Sequence, residues 1–379
     1  MIEFRDLKRQ YLYLKKNIDD KINDVIQSAS FIGGKQVNIL EQTLANYVDV
    51  KHCISCANGT DALELALMVW NIGFGDAVFV PDFTFFSTGE VVAAVGATPI
   101  FVDVRPDTFN MDTVSLEGLI RMVKTQGKLK PRAIIAVDLF GQPAEYDKIK
   151  QIATRNNLYL LEDCAQGFGG SIDKRKACSF GDISTTSFFP AKPLGCYGDG
   201  GAIFTNSDEW AKKLTSLKVH GKGLNKYDNV YIGMNSRLDS IQAAILNAKF
   251  PVFINEEMNK VQLIARTYTS LLNNYVKTPL ILDGFNSSWA QYSIQLESNE
   301  ERDRLQSYLK EQGIPSMVYY QKPMHCQKAF GESVFKYDEL NMTTNRLCST
   351  ILSLPFHPYL NSDEIEFVCD RVKEFFQRK

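Results

Sequence analysis

The chain has 379 residues, 45% of them hydrophobic and 23% charged, with 42 basic and 44 acidic residues and a formal net charge of -2. That length predicts two domains, or one large α/β domain with a smaller cap. The near-neutral balance gives no support for a nucleic-acid or anionic-membrane surface. The most apolar stretch, Val91 to Val102, is interrupted by Gly96 and Pro99 and falls short of the ~20 apolar residues of a membrane span.

The opening segment MIEFRDLKRQ is charged and lacks an apolar signal core, so a cytoplasmic protein is expected. The eight cysteines are scattered, which predicts reduced thiols. Cys53 and Cys56 form a C-x-x-C pair with no second pair, so no metal site is expected.

In chain order, Tyr11, Leu14, Ile18, Ile22 and Val25 recur at helical spacing and predict a helix over roughly 9–28, closed by Gly33-Gly34. A second helix is predicted from Asn58-Gly59-Thr60 through Leu63, Leu67 and Trp70. Short apolar runs at Ala77–Val80, Pro99–Val104, Ala133–Val137, Leu158–Leu161, Ile183–Phe189 and Ala202–Thr205 read as strands. Helical patterns at Ser87–Val95, Tyr146–Asn156 and Asp208–Val219 lie between them. This alternation predicts a mostly parallel sheet covered by helices on both faces, with ligands at the carboxyl ends of its strands. After about residue 250 the pattern changes to helices at Glu300–Gln312 and Asp363–Phe376 flanking short strands. Asn361 and Glu364 stand in capping-box spacing before the last helix. The expected partition is a large domain over 1–250 and a small α+β domain over 251–379.

The segment from Leu158 to Gly201 carries the chemistry. An apolar strand delivers Glu162 and Asp163 at its carboxyl end. A carboxylate there is expensive to desolvate unless it meets a cation; a protonated pyridine ring is one such cation, an ordinary helix cap or ion pair the plainer alternative. Lys192 follows a second apolar run in a turn flanked by Phe188-Phe189-Pro190. Desolvation makes a lysine amine nucleophilic, as bonding to a cofactor aldehyde requires; a snorkelling loop lysine is the plainer alternative. Gly195, Gly198, Gly200 and Gly201 do not match the dinucleotide or phosphate-loop spacings. Asn58-Gly59-Thr60 at a helix start offers N–H groups and a hydroxyl to a phosphate, with Ser187 a further donor. Of Phe83, Phe85 and Phe86, at least one ring should sit at the sheet's carboxyl edge and stack on a flat cofactor.

These residues resemble the DegT/DnrJ/StrS sugar-nucleotide aminotransferases, pyridoxal-phosphate (PLP) enzymes of fold type I. The resemblance spans nearly the whole chain and rests on CANGTDAL, PDFTFFSTGEVV, EDCAQ, SFFPAKPLGCYGDGGA and GMNSRLDSIQAAIL. It implies that Lys192 bonds to the cofactor and moves protons, that Asp163 pairs with the pyridinium nitrogen and that Gln166 contacts the ring hydroxyl. It further implies that Gly59, Thr60 and Ser187 hold the phosphate and that Phe85 stacks on the ring. Asn235 resembles the asparagine that reaches the cofactor phosphate of a neighbouring subunit, which implies a homodimer with shared sites.

The form NSRLDSIQAA resembles members that aminate C3 of a sugar. The text is most similar to enzymes acting on UDP-2-acetamido-2-deoxy-3-oxo-glucuronate with glutamate as donor, for bacterial surface polysaccharide. Phe31, Ala191, Arg237, Tyr319, Tyr320 and His325 are the candidate substrate contacts by that resemblance. Close relatives commonly carry His-Tyr where this chain has Tyr319-Tyr320, and a phenol does not replace an imidazole cation. The competing readings are a 3-aminotransferase for a dTDP-3-keto-6-deoxyhexose, a PLP-dependent sugar dehydratase and a catalytically silent binding protein. Dehydratase relatives replace the lysine with histidine, so Lys192 argues against the second. His220, in the VHGKG turn, is expected to serve a structural hydrogen bond.

Overall fold

The computed structural model describes residues 2–225, 227–331 and 337–377. A seven-stranded sheet forms its centre: β1 His52–Cys56, β2 Asp76–Pro81, β3 Thr98–Val102, β4 Lys130–Val137, β5 Tyr159–Asp163, β6 Ile183–Ser187 and β7 Gly201–Thr205. The spatial order is β1-β7-β6-β5-β4-β2-β3. Only β7 runs against the rest, paired antiparallel to both β1 and β6. All six residues of β2 are buried, as expected of a strand covered on both faces.

The expected strands are present, and β1 is a strand the pattern missed: His52-Cys53-Ile54-Ser55-Cys56 is short, with polar residues at 52 and 55 that do not alternate. Its cysteines are buried free thiols. The helices over the sheet are α1 Leu7–Ser28, α2 Lys35–Val48, α3 Gly59–Val69, α4 Ser87–Ala94, α5 Thr113–Gln126, α6 Tyr146–Asn156 and α7 Asp208–Leu217. Two of these, α2 and α5, had no counterpart in the sequence reading.

The first helix does not end at Gly33-Gly34. It stops at Ser28 with Ala29 in the left-handed conformation, and Gly34, at φ +82°, caps the start of α2. The glycine pair therefore opens a second helix, against which the later helix Ser240–Val252 packs.

The expected domain partition at residue 250 falls inside α8 Ser240–Val252, which continues through a π-helical turn, Phe253–Glu257, into α9 Met258–Leu272. A separate apolar cluster runs from Val261 to Phe375 and includes Ile2 from the other end of the chain. The helices at Asn299–Glu311 and Ser362–Gln377 flank a two-stranded sheet of Tyr292–Gln295 and Ile351–Leu354. The capping box forms as expected: Asn361 N–H donates to Glu364 at 3.0 Å, and Glu364 N–H to Asn361 Oδ1 at 2.8 Å. Among the described residues no helix is long and apolar enough to cross a membrane.

Candidate active site

Because β1, β2, β4, β5 and β6 run one way, the residues after each strand collect along one edge of the sheet. They line a cleft of about 1030 Å³, closed on its far side by Val318–Lys322. Gly59, Thr60, Phe85, Asp163, Gln166, Ser187, Ala191, Lys192, Tyr319 and Tyr320 all lie in its wall.

One end of the cleft is the start of α3. Asn58 caps it, its side chain accepting from Asp61 N–H at 2.8 Å. The first N–H groups of a helix have no intrahelical acceptor, and the dipole adds partial positive charge. Gly59 is required here: a Cβ would stand 2.7 Å from Ser187 Cβ. Gly201 plays the same part behind the turn, where a Cβ would meet Asn58 O at 2.4 Å. Two neighbouring glycines thus bring the α3 start and the end of β6 together. Thr60 Oγ1 lies 2.8 Å from Ser87 Oγ, so Ser87 adds a hydroxyl that the sequence reading did not single out.

Deeper in the cleft, the alternation of β5 sends Glu162 and Asp163 to opposite faces. Glu162 is a buried structural carboxylate, accepting from Cys178 N–H, Phe180 N–H, Gly181 N–H and Ser184 Oγ at 2.6–3.1 Å. Asp163 faces the cleft. It accepts from Thr88 Oγ1 and Ala165 N–H, each at 3.1 Å. Burial pushes its acid up, against those two bonds and the charge of Lys192. Asp163 therefore holds a carboxylate that lacks a cation at ion-pair distance among the described residues. Thr88, buried in the first turn of α4, was also missed.

Lys192 sits on the turn after β6. Desolvation lowers its amine below the ordinary lysine value, partly offset by Asp163 and reinforced by Arg5. Its Nζ has no hydrogen-bond partner among the described residues. Gln166 is held at both ends: its Oε1 accepts from Phe140 N–H at 2.7 Å and its Nε2 donates to Tyr320 OH at 3.1 Å. Phe85 is 53% exposed, its ring 6.4 Å from that of Tyr320.

Four expected contacts stand outside this wall. Phe31, Asn235 and Arg237 are exposed, and Arg237 makes no ion pair with Asp239 among the described residues. Asn235 bridges to Val219 by backbone pairing. His325 is not among the cleft's lining residues, and its side chain is 6% exposed. Asp82 claims it, with His325 Nδ1 at 2.6 Å and N–H at 2.8 Å, and Nε2 lies 3.1 Å from Asp338. A buried aspartate at the end of β2 attracts the imidazole inward. The His220 backbone makes structural hydrogen bonds, its N–H to Met234 O and its carbonyl to Asn229 Nδ2 at 2.9 and 2.8 Å.

A family model described as the DegT/DnrJ/EryC1/StrS aminotransferase family matches residues 13–373. The chain belongs to that family. The Pseudomonas aeruginosa UDP-2-acetamido-2-deoxy-3-oxo-D-glucuronate aminotransferase is 41% identical over 97% of this chain and 99% of its own. A Geobacillus stearothermophilus protein called a pleiotropic regulatory protein is 40% identical over 98% of each. The Aneurinibacillus thermoaerophilus dTDP-3-amino-3,6-dideoxy-alpha-D-galactopyranose transaminase is 34% identical over 99% of each. A Brucella abortus DegT/DnrJ/EryC1/StrS aminotransferase structure superposes with a TM-score of 0.96 at 46% identity, over 99% of this chain and 100% of that one. The Bacillus subtilis NtdA structure, with bound cofactor PMP, superposes at 0.86 and 27% identity, over 96% and 82%.

This DegT/DnrJ/EryC1/StrS member is a PLP-dependent sugar aminotransferase of fold type I. Its cleft fits the cofactor on local grounds. The buried Asp163 carboxylate lacks the cation a pyridinium would supply, the Lys192 amine has no hydrogen-bond partner among the described residues and its basicity is lowered by burial, and the α3 start offers N–H groups to a phosphate.

Proposed function

We propose that the protein moves an amino group from L-glutamate to C3 of a nucleotide-linked 3-keto sugar, with UDP-2-acetamido-2-deoxy-3-oxo-D-glucuronate as acceptor. The observation that carries the aminotransferase assignment to these residues is the pairing of an unpartnered amine, Lys192, with a cation-deficient carboxylate, Asp163, in one cleft. Pyridoxal phosphate, when bound, supplies an electron sink for removal of a carbon-bound proton. Lys192 Nζ, once free, takes that proton and returns it, and its lowered basicity suits both roles. Asp163 keeps a ring nitrogen protonated. Gln166, clamped by Phe140 and Tyr320, orients a ring hydroxyl. Gly59, Thr60 and Ser187 hold the phosphate, and Phe85 covers the ring.

The two substrates use the cleft in turn, glutamate first and the ketone second. Asn235 and Arg237 then act on the neighbouring protomer of a homodimer. Their exposure supports this, as do the exposed Leu224, Val230 and Ile232 of the same stretch. We assign the product to bacterial surface-polysaccharide synthesis in the cytoplasm. The uronate choice is supported by the likeness to the Pseudomonas aeruginosa enzyme. The Tyr319 phenol favours a second reading, a dTDP-3-keto-6-deoxyhexose acceptor, which needs no carboxylate partner.

Single-turnover measurements with the two ketones, in the reverse direction where the ketone is unstable, separate them. Higher kcat/KM on the uronate supports the proposal. Higher kcat/KM on the deoxyhexose replaces it, and no glutamate-dependent product with either returns the silent binding protein.

A further inference from the structure

The turn that carries Lys192 is held by two cations, the half-buried Arg5 and the buried Lys249. Arg5 Nη2 donates to the Lys192 carbonyl at 2.8 Å. Lys249 Nζ, in a side chain only 2% exposed, donates to the Gly195 carbonyl. The turn between them is tight: Lys192 N–H donates to Phe189 O at 2.8 Å, and a Cβ at Gly195 would lie 2.5 Å from Pro190 O. Neither cation forms an ion pair among the described residues. The carboxylate whose charge acts on both, Glu257, spends Oε1 on Gln10 Nε2 at 2.8 Å and Tyr359 OH at 2.6 Å.

Burying a cation that lacks an ion-pair partner, as at Lys249, is costly, so the arrangement calls for a compensating role. Lys249 precedes Pro251, and the π-helical turn Phe253–Glu257 places Glu257 in the same network. Such turns concentrate at functional sites. Gln10 stands on α1, Tyr359 near the chain's end and Lys249 on α8, so the network ties the turn to three distant elements.

We propose that Arg5 and Lys249 are positioning residues, which grip the Lys192–Gly195 turn by its carbonyls and fix where the Lys192 amine stands. The proposal rests on the reading of Lys192 as the cofactor lysine. The charged and titratable groups that act on the network are Asp163 and Arg5 around Lys192, Glu257, Arg5 and Cys196 around Lys249, and His357 beside Arg5. Arg5 also places positive charge near the amine, against Asp163.

The test uses the full-length holoenzyme and the variants Arg5→Met, Lys249→Met and Arg5→Lys. Methionine fills the space without charge, and such replacements of buried ions are often tolerated. We expect both Met variants to fold and retain cofactor while kcat falls about 10- to 100-fold, with KM changed less than about threefold. In Arg5→Met, loss of a nearby cation moves the pH midpoint of the bound cofactor's visible absorbance upward by about one unit. Arg5→Lys restores most of both. Met variants with wild-type kcat and wild-type midpoint overturn the proposal, as does a loss in melting temperature alone. If Arg5→Met does not fold, Lys249→Met, read by the same kcat criterion, decides it. A Lys192→Ala chain that keeps the wild-type absorbance instead removes the underlying reading, a different result.

Discussion

The two sides of the cleft are built differently. One side, from Asn58 to Lys192, comes from strand ends and the first turns of helices, each positioned by a rigid sheet. The other, from Val318 to Lys322 with Tyr319 and Tyr320, comes from a loop beyond the α9 helix, pinned by side chains distant in sequence. The first side handles a cofactor that is the same for every member of the family. Under the proposed function the second meets the sugar, which differs among the named relatives. Rigid elements thus carry the constant chemistry and loops carry the variable recognition, as in other α/β enzymes.

That contrast is broken most directly at Lys192. Lys192→Ala should lower turnover by about 10⁴-fold or more, since it removes both the covalent link and the proton carrier. Steady-state assay with glutamate reads it; near-normal turnover would move the reactive amine elsewhere in the chain. Asp163→Asn comes next. It should cost about 10²- to 10³-fold in kcat yet raise the melting temperature of the cofactor-free chain, because burial works against the charged form at this position. A drop in both quantities would mean that Asp163 is chiefly a structural carboxylate like Glu162.

Gly59→Ala sharpens the comparison by geometry alone. Its Cβ would stand 2.7 Å from Ser187 Cβ, forcing the helix start away from the end of β6. Overpacking costs about 1–3 kcal/mol, so cofactor affinity, measured by equilibrium titration, should weaken by roughly tenfold or more. Across the cleft, Tyr320→Phe removes one neutral hydrogen bond to Gln166. A loss of about 0.5–1.5 kcal/mol predicts a two- to tenfold fall in kcat/KM. If that change reached the size of the Asp163 effect, the loop side would share the constant chemistry and the distinction drawn above would fail.

The same division decides what the sequence disclosed. Strand ends leave local signatures: an apolar run, then polar residues, as at Leu160-Leu161-Glu162-Asp163. The sheet and most of the cofactor wall were legible for that reason, although nothing local says that Asp163 and not Glu162 faces the cleft; alternation about the strand decides it. Thr88 and Ser87 were hidden because hydroxyls in a first helical turn look like ordinary caps. α2 and α5 went unread beside stronger neighbours, and β1 because five half-polar residues carry little periodicity. Arg5 gave no signal, since it acts on a carbonyl 187 residues away. Lys249 gave one, a lysine inside the apolar run of α8. The ring's partner, Asp82, was not legible at His325, because a motif match says nothing about which carboxylate an imidazole meets.

His325 also supplies the smallest expected effect. Burial lowers its basicity, but the hydrogen bond and charge of Asp82, with Asp338 behind, outweigh this and leave the imidazole above its ordinary value of 6.5. A base raised on folding favours the protonated form. Its contribution to stability is therefore fully present below about pH 6.5 and is lost as pH rises through the higher, folded value. Asp82 also accepts from Asn341 Nδ2 at 2.9 Å, and its backbone carbonyl from Met324 N–H at 3.0 Å. The pair thus anchors the segment just after Tyr320 to the end of β2. The melting-temperature gap between wild type and His325→Gln should narrow as pH climbs from 6 to 9, while cofactor affinity stays within about twofold because no rigid strand end is disturbed. A gap independent of pH would reduce His325 to a neutral hydrogen-bond donor. A pH-dependent change in cofactor affinity would instead show that the loop's anchor is coupled to the rigid wall.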